Sequence, residues 1–179
     1  MEQPKIFVSY SHKNPKALKQ LQRFLHPLER EGIIESWDDT RLKGGDDWRA
    51  EIDKALAAAT AAVLFISQDF LDSNFIYQEE LPRILTRAAA DELTVLPVFL
   101  SPSNVEDLDF PFIDRQGIER SDKLTRFQGF GTPDKPLSGL SWSDRERVYQ
   151  KLSQRIKELA GKTKATQSDR NLRAANPQL

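Results

Sequence analysis

Residues 61–81 read AAVLFISQDFLDSNFIYQEEL. The opening AAVLFIS is a short, continuous apolar run that stops at polar Gln68 and Asp69. That pattern predicts a buried strand of a parallel sheet. In residues 69–81, Phe75, Ile76 and Tyr77, then Glu79, Glu80 and Leu81, predict a helix. Ser73 or Asn74 can cap its start, because a short side-chain oxygen satisfies a free helix N–H. Pro82 comes next and has no N–H to return to the carbonyl of Gln78, so the helix is expected to kink or restart there. Two adjacent carboxylates thus stand just past the carboxyl end of a central strand, and this stretch is the candidate site.

Working outward, the same alternation repeats. Residues 5–10, KIFVSY, predict a first strand. Asn14-Pro15 opens a helix, with Asn as cap and Pro in the first turn. Leu18, Leu21, Leu25 and Leu28 recur at helical spacing up to about Gly32. Residues 33–37, IIESW, predict a second strand. Residues 38–48, DDTRLKGGDDW, form a polar loop in which Asp46 or Asp47 caps the next helix. Trp48, Ile52, Ala55, Leu56 and Ala59 mark that helix, with Trp48 as its core anchor. Residues 93–100, LTVLPVFL, predict a fourth strand, and Pro97 argues for an edge or an irregularity.

This order predicts an α/β domain: a flavodoxin-like, doubly wound parallel sheet of about five strands with helices on both faces. Residues 101–142 are harder to read. Their aromatics, Phe110, Phe112, Phe127, Phe130 and Trp142, are expected to fold back on the body, with a short fifth strand near residues 136–140. Ser143-Asp144-Arg145-Glu146 has a capping-box pattern, and Val148, Leu152, Ile156 and Leu159 give the last helix a buried face that Gly161 closes. The domain is therefore expected over residues 1–160. Residues 161–179 are polar and without periodicity, which predicts a disordered tail or linker.

Composition narrows the function. Lys and Arg number 26 against 27 Asp and Glu, a balance that gives no reason to expect nucleic acid or an anionic membrane as partner. There is no cysteine, which excludes disulfides, thiol catalysis and thiolate metal sites. No signal-peptide layout opens the chain, and no apolar run approaches the ~20 residues of a membrane helix, so a cytoplasmic location is expected. His12 and His26 have no histidine partners close in sequence, and no metal is expected. Gly44-Gly45 lacks the spacing of a phosphate loop, and Ser141 in GLSWS lacks the closing glycine of a hydrolase elbow.

In open doubly wound sheets, ligands bind beyond the carboxyl ends of the strands where the strand order reverses. For the common five-strand order that point lies between the first and third strands. The loops there are SYSHKN, residues 9–14, and SQDFLD, residues 67–72. The rule thus converges on the opening stretch without knowledge of any family. A phosphorylatable receiver domain shares this fold, but its acidic pair after the first strand is replaced here by Ser-Tyr-Ser.

The ordered set FVSYSHKN, then W-D-D-x-x-L-x-x-G-x-x-W, then LFIS-x-DFL-x-S-x-F and the closing Glu-Leu resembles a TIR domain of the bacterial kind. The resemblance covers about residues 5–100. It implies either of two roles: cleavage of the nicotinamide glycosidic bond of NAD+ in bacterial immune-type, antiviral signalling, switched on by TIR self-assembly, or a non-enzymatic adaptor that only recruits other TIR domains. NAD+ is then a substrate, and no cofactor is implied.

The family's catalytic glutamate lies on the helix after the third strand. Phe75 with Glu79 meets one family spacing, and Ser73, Phe75, Glu80 and Leu81 meet another. Glu80 is favoured because Leu81 follows it, and Glu79 stays as the alternative. Consecutive helix positions point roughly 100° apart, so only one of the pair is expected in the pocket. Ser9, Tyr10, Ser11, Lys13, Phe75 and Trp48 are the expected substrate contacts. Asp39, Arg41, Leu42, Gly44 and Gly45 are the expected gating or assembly loop. One ionised carboxylate suits the reaction, because departing nicotinamide leaves an oxocarbenium-like ribose and is itself a cationic leaving group.

Overall fold

The computed structural model describes residues 3–41, 44–45 and 47–175. Four parallel strands, β1 (Lys5–Ser9), β2 (Glu35–Trp37), β3 (Ala59–Ile66) and β4 (Thr94–Phe99), form one sheet in the order β2-β1-β3-β4. The helices between them are α1 (Pro15–Arg30), α2 (Trp48–Ala58), short α3 (Gln68–Asp72) and α4 (Leu81–Ala89). α5 (Trp142–Ala175) closes the chain.

The alternation of side chains along a strand splits the core in two. Ala62, Leu64 and Ile66 of β3, with Phe7 of β1, pack with α2, α3 and α4. Ala61, Val63 and Phe65, with Ile6 and Val8, pack with α1 and α5. From Ala61 to Ile66 β3 therefore has no polar face, and that run is apolar for that reason; Thr60, at its start, is half-buried and donates through Oγ1 to Lys5 O at 3.1 Å.

Beyond β4 the expected fifth strand is absent. Residues 136–140 hold a single tight turn, Leu137–Gly139. Among the described residues the outer edge of β4 is met by Phe130 alone, whose N–H donates to Pro97 O at 2.8 Å and whose carbonyl accepts from Phe99 N at 3.0 Å. The nitrogen of Pro97 lies on the same outer side as its carbonyl, so the missing donor falls where a full ladder is not built. Gly129 makes this approach possible: a Cβ there would sit 2.7 Å from Phe99 Cε2 and 2.9 Å from Pro97 O. A separate antiparallel pair, β5 (Phe110–Ile113) with β6 (Glu119–Asp122), lies against α4, where Ile113 N donates to Thr86 Oγ1 at 3.0 Å.

Several local expectations need correction. Asn14 does not cap α1; its side chain is engaged by Ser67 and Asp69 across the rim instead. The cap of α5 is Ser141, two residues earlier than expected, whose Oγ accepts from Asp144 N at 3.1 Å and donates to Asp144 Oδ2 at 2.7 Å. The helix does not stop at Gly161 but continues to Ala175, because a helical glycine only weakens a helix and no proline follows before Pro177. Residues 162–175 are thus helical where a disordered tail is expected, while residues 176–179 lie outside the described residues. Trp48 is 43% exposed rather than a core anchor, and Trp142 at 62% does not fold back on the body. Among the described residues no helix is long and apolar enough to cross a membrane.

Candidate active site

Ser73 Oγ accepts from Ile76 N at 3.3 Å and starts the helix after α3. Its first turn, Ile76–Glu80, is a π-turn closed by Leu81 N donating to Ile76 O, and α4 follows with Pro82 in its opening turn. With no N–H at Pro82, nothing holds the chain to the tighter register, and the turn widens by one residue. Ile76 and Leu81 bury on the sheet, and between them the wide turn carries Glu80 inward.

The two glutamates diverge. Glu79 points outward and pairs with Arg83 Nη2 at 3.3 Å, one helical turn on. Arg83 in turn reaches Asp53 of α2 at 2.5 Å. Glu80 is only 7% exposed. Ser9 Oγ, at the carboxyl end of β1, donates to Glu80 Oε2 at 2.7 Å. Oε1 makes no hydrogen bond among the described residues, yet it is not sealed from the surface. One oxygen is thus anchored at the end of β1, beside the point between β1 and β3 where the strand order reverses, and the other is left without a protein hydrogen-bond partner among the described residues.

Burial pushes the Glu80 carboxyl up to about 7, since desolvation disfavours its charged form. The Ser9 hydrogen bond opposes that rise, the Asp39 carboxylate adds to it, and His12 opposes it. Asp39 is the hub of the rim. Tyr10 donates to Asp39 Oδ1 at 2.8 Å, and His12 Nε2 contacts Asp39 Oδ2. Burial, and then Asp39, raise the Tyr10 hydroxyl well above its ordinary value, so it stays a donor. Asp38, buried beside it, accepts from Thr40 N at 3.0 Å and from Gln22 Nε2 at 3.1 Å. The turn Asp39–Arg41 is fastened at its far end by Arg41 Nη2 to Glu29 Oε1 at 2.9 Å.

The other expected site residues divide. Ser9 and Tyr10 lie at the rim beside Glu80. Ser11 is buried and accepts from Lys13 N at 3.3 Å, which suits ending a strand. Trp48 and Phe75 meet edge-on at 5.2 Å, forming a partly exposed aromatic pair on the α2 side. Lys13 pairs with Asp69 at 3.7 Å and lines the cleft against α5 instead of the rim at Glu80. Gly44 and Gly45 are exposed, and Leu42 lies outside the described residues. His12 is the residue the sequence reading underrated: its partner is a carboxylate 27 positions away, which no local pattern announces.

A parallel sheet reversing between β1 and β3, with helices on both faces, defines a flavodoxin-like α/β domain, and the buried carboxyl group at the reversal is its candidate site. The family model for the TIR domain matches residues 6–129, and the chain belongs to that family. It is similar to the uncharacterized protein y4lF of Sinorhizobium fredii, 28% identical over 172 residues, which are 96% of this chain and 48% of that protein. The chain spans about half the length of that curated relative. Among solved structures it is similar to the TIR domains of the activated Roq1 resistosome directly recognizing the pathogen effector XopQ, at 28% identity and TM-score 0.45, covering 58% of this chain and 63% of that one. A prokaryotic SEFIR domain is similar at 17% identity and TM-score 0.45, covering 84% of this chain and 96% of that one.

Proposed function

We propose that this TIR domain cleaves the nicotinamide–ribose bond of NAD+, with Glu80 as the catalytic carboxylate. One observation carries the reading: a glutamate buried at the switch point, with one oxygen held by Ser9 and the other without a protein hydrogen-bond partner among the described residues. In the reaction the C1′–N bond breaks and its electron pair leaves with neutral nicotinamide. The positive charge moves to the ribose, where an ionised Glu80 stabilises it, and water adds at C1′ with loss of a proton. The cationic pyridinium of the substrate favours the ionised form of a carboxyl that otherwise titrates near 7.

The turn bearing Asp39 is tied to β1 by Tyr10 and His12 beside Glu80. TIR self-association that shifts this turn would admit the sugar, which couples turnover to assembly, as expected of an immune-type signalling enzyme in the cytoplasm. No cofactor enters the scheme. The burial of Glu80 favours a second reading, a non-enzymatic adaptor for other TIR domains. Following nicotinamide release from NAD+ by concentrated protein separates the two. Glu80→Gln is expected to lower turnover by about 10²–10³-fold, the worth of one preorganised electrostatic group. Glu79→Ala is expected to keep activity, since Glu79 faces Arg83. Turnover that survives Glu80→Gln refutes the assignment, and no turnover with the domains crowded on a scaffold supports the adaptor.

A further inference from the structure

A cleft of about 560 Å³ opens on the other side of the sheet's carboxyl edge, between the start of α1, the chain after β4 and the first turns of α5. Its size suits a small organic ligand. Lys13, Lys16 and Arg145 line it against one carboxylate, Glu146, which Arg23 already holds at 2.9 Å. Among the described residues Lys16 and Arg145 have no ion-pair partner. Trp142 stands at the mouth, 62% exposed, with no ring or cation against it among the described residues. A tryptophan left so open on a cationic cleft is a stacking surface without its partner.

The wall of the cleft adds a second observation. Tyr149 is only 5% exposed and its ring stacks on Phe24 at 6.1 Å. Its hydroxyl makes no hydrogen bond among the described residues, yet it is not sealed off, so it opens onto the cleft it lines. Burial pushes this hydroxyl up to about 12, which keeps it a neutral donor. A hydroxyl on the cleft wall that no protein group among the described residues engages can donate to an acceptor that enters the cleft.

We propose that this cleft binds a mononucleotide, with its base stacked on Trp142, its phosphate met by Lys16, Arg145 and Lys13, and a ribose or phosphate oxygen accepting from Tyr149. Base–aromatic stacking and charge-assisted phosphate contacts are the two chemistries that such a ligand joins in one molecule. The site is independent of Glu80, which lies across the sheet on the α4 side. It touches the same loop, however, since Lys13 and Asn14 of the cleft follow directly on Ser9–Ser11, and Asn14 accepts from Ser67 Oγ at 2.7 Å.

Calorimetric titration of AMP into the full chain at low salt tests this. Saturable binding is expected, with inorganic phosphate, ribose 5-phosphate and adenosine each weaker, because each lacks one half of the ligand. Trp142→Ala is expected to weaken AMP by about tenfold or more, the worth of one base–aromatic stack. Arg145→Glu is expected to weaken it comparably, and Tyr149→Phe, which keeps the ring packing, to weaken it less. Both Trp142 and Arg145 are exposed, so these variants leave the core intact. Glu80→Gln is expected to bind AMP as the parent does. No AMP binding, inorganic phosphate binding as tightly as AMP, or binding lost in Glu80→Gln but kept in Trp142→Ala would each overturn the proposal.

Discussion

Replacing Glu80 by Gln should make the protein more stable at alkaline pH, and by a calculable amount. Folded, the Glu80 carboxyl titrates near 7; its ordinary value is 4.5. Between those values the folded chain keeps a proton that the unfolded chain has lost. Stability from this group is therefore complete below 4.5, falls as pH rises toward 7, and levels off above it. At about 1.4 kcal/mol per pH unit, the whole window amounts to about 3 kcal/mol. Gln has nearly the same shape, still accepts from Ser9 through its amide oxygen, and does not ionise. Urea unfolding of both proteins at pH 5 and pH 8 isolates the effect, because every other titrating group is common to the two. The stability difference should shift in favour of Gln by about 2–3 kcal/mol between the two pH values. Parallel stability–pH curves would mean that Glu80 is as solvated as any surface glutamate, and the buried carboxylate at the switch point would be refuted with them.

Other outcomes follow from the same structure. If an ionised Glu80 does the chemistry, nicotinamide release should rise with pH through about 7 and then level off. Asp39→Asn removes one of the groups that raise Glu80, so that profile, or the Glu80 carboxyl resonance in NMR, should move to lower pH. Phe70→Ala empties a fully buried site between β3 and the π-turn and should cost about 3–5 kcal/mol in urea unfolding. Gly129→Ala drives a methyl into Phe99 and the Pro97 carbonyl, and should cost about 1–3 kcal/mol while loosening the bridge from Phe130 to β4.

Much of the fold could be read from local patterns. The apolar runs of β3 and β4 announce strands buried on two faces, and the spacing of Leu18, Leu21 and Leu25 announces the inner face of α1. Pro82 signalled a break in the helix, and the break is a π-turn. The stretch after β4 was opaque for physical reasons. β6 reads ERSD, with no apolar residue to set a period, and β5 carries a proline. A single bridge at Phe130 replaces a strand and leaves no pattern at all. Asn14 looked like a cap because capping is local, and it was recruited by Ser67 and Asp69, which are distant in sequence.

By itself the sequence determined the alternation of strands and helices, the rim on which a site must fall, and the pair of acids that could serve there. Those follow from periodicity and turn chemistry, which act over a few residues. Only the tertiary structure shows which acid turns inward, because the direction of each depends on a partner far along the chain: Asp53 of α2 helps hold the Arg83 that draws Glu79 outward, and Ser9 of β1 holds Glu80 within. It alone raised the proton affinity of Glu80, since desolvation belongs to the packed rim and to no residue in isolation.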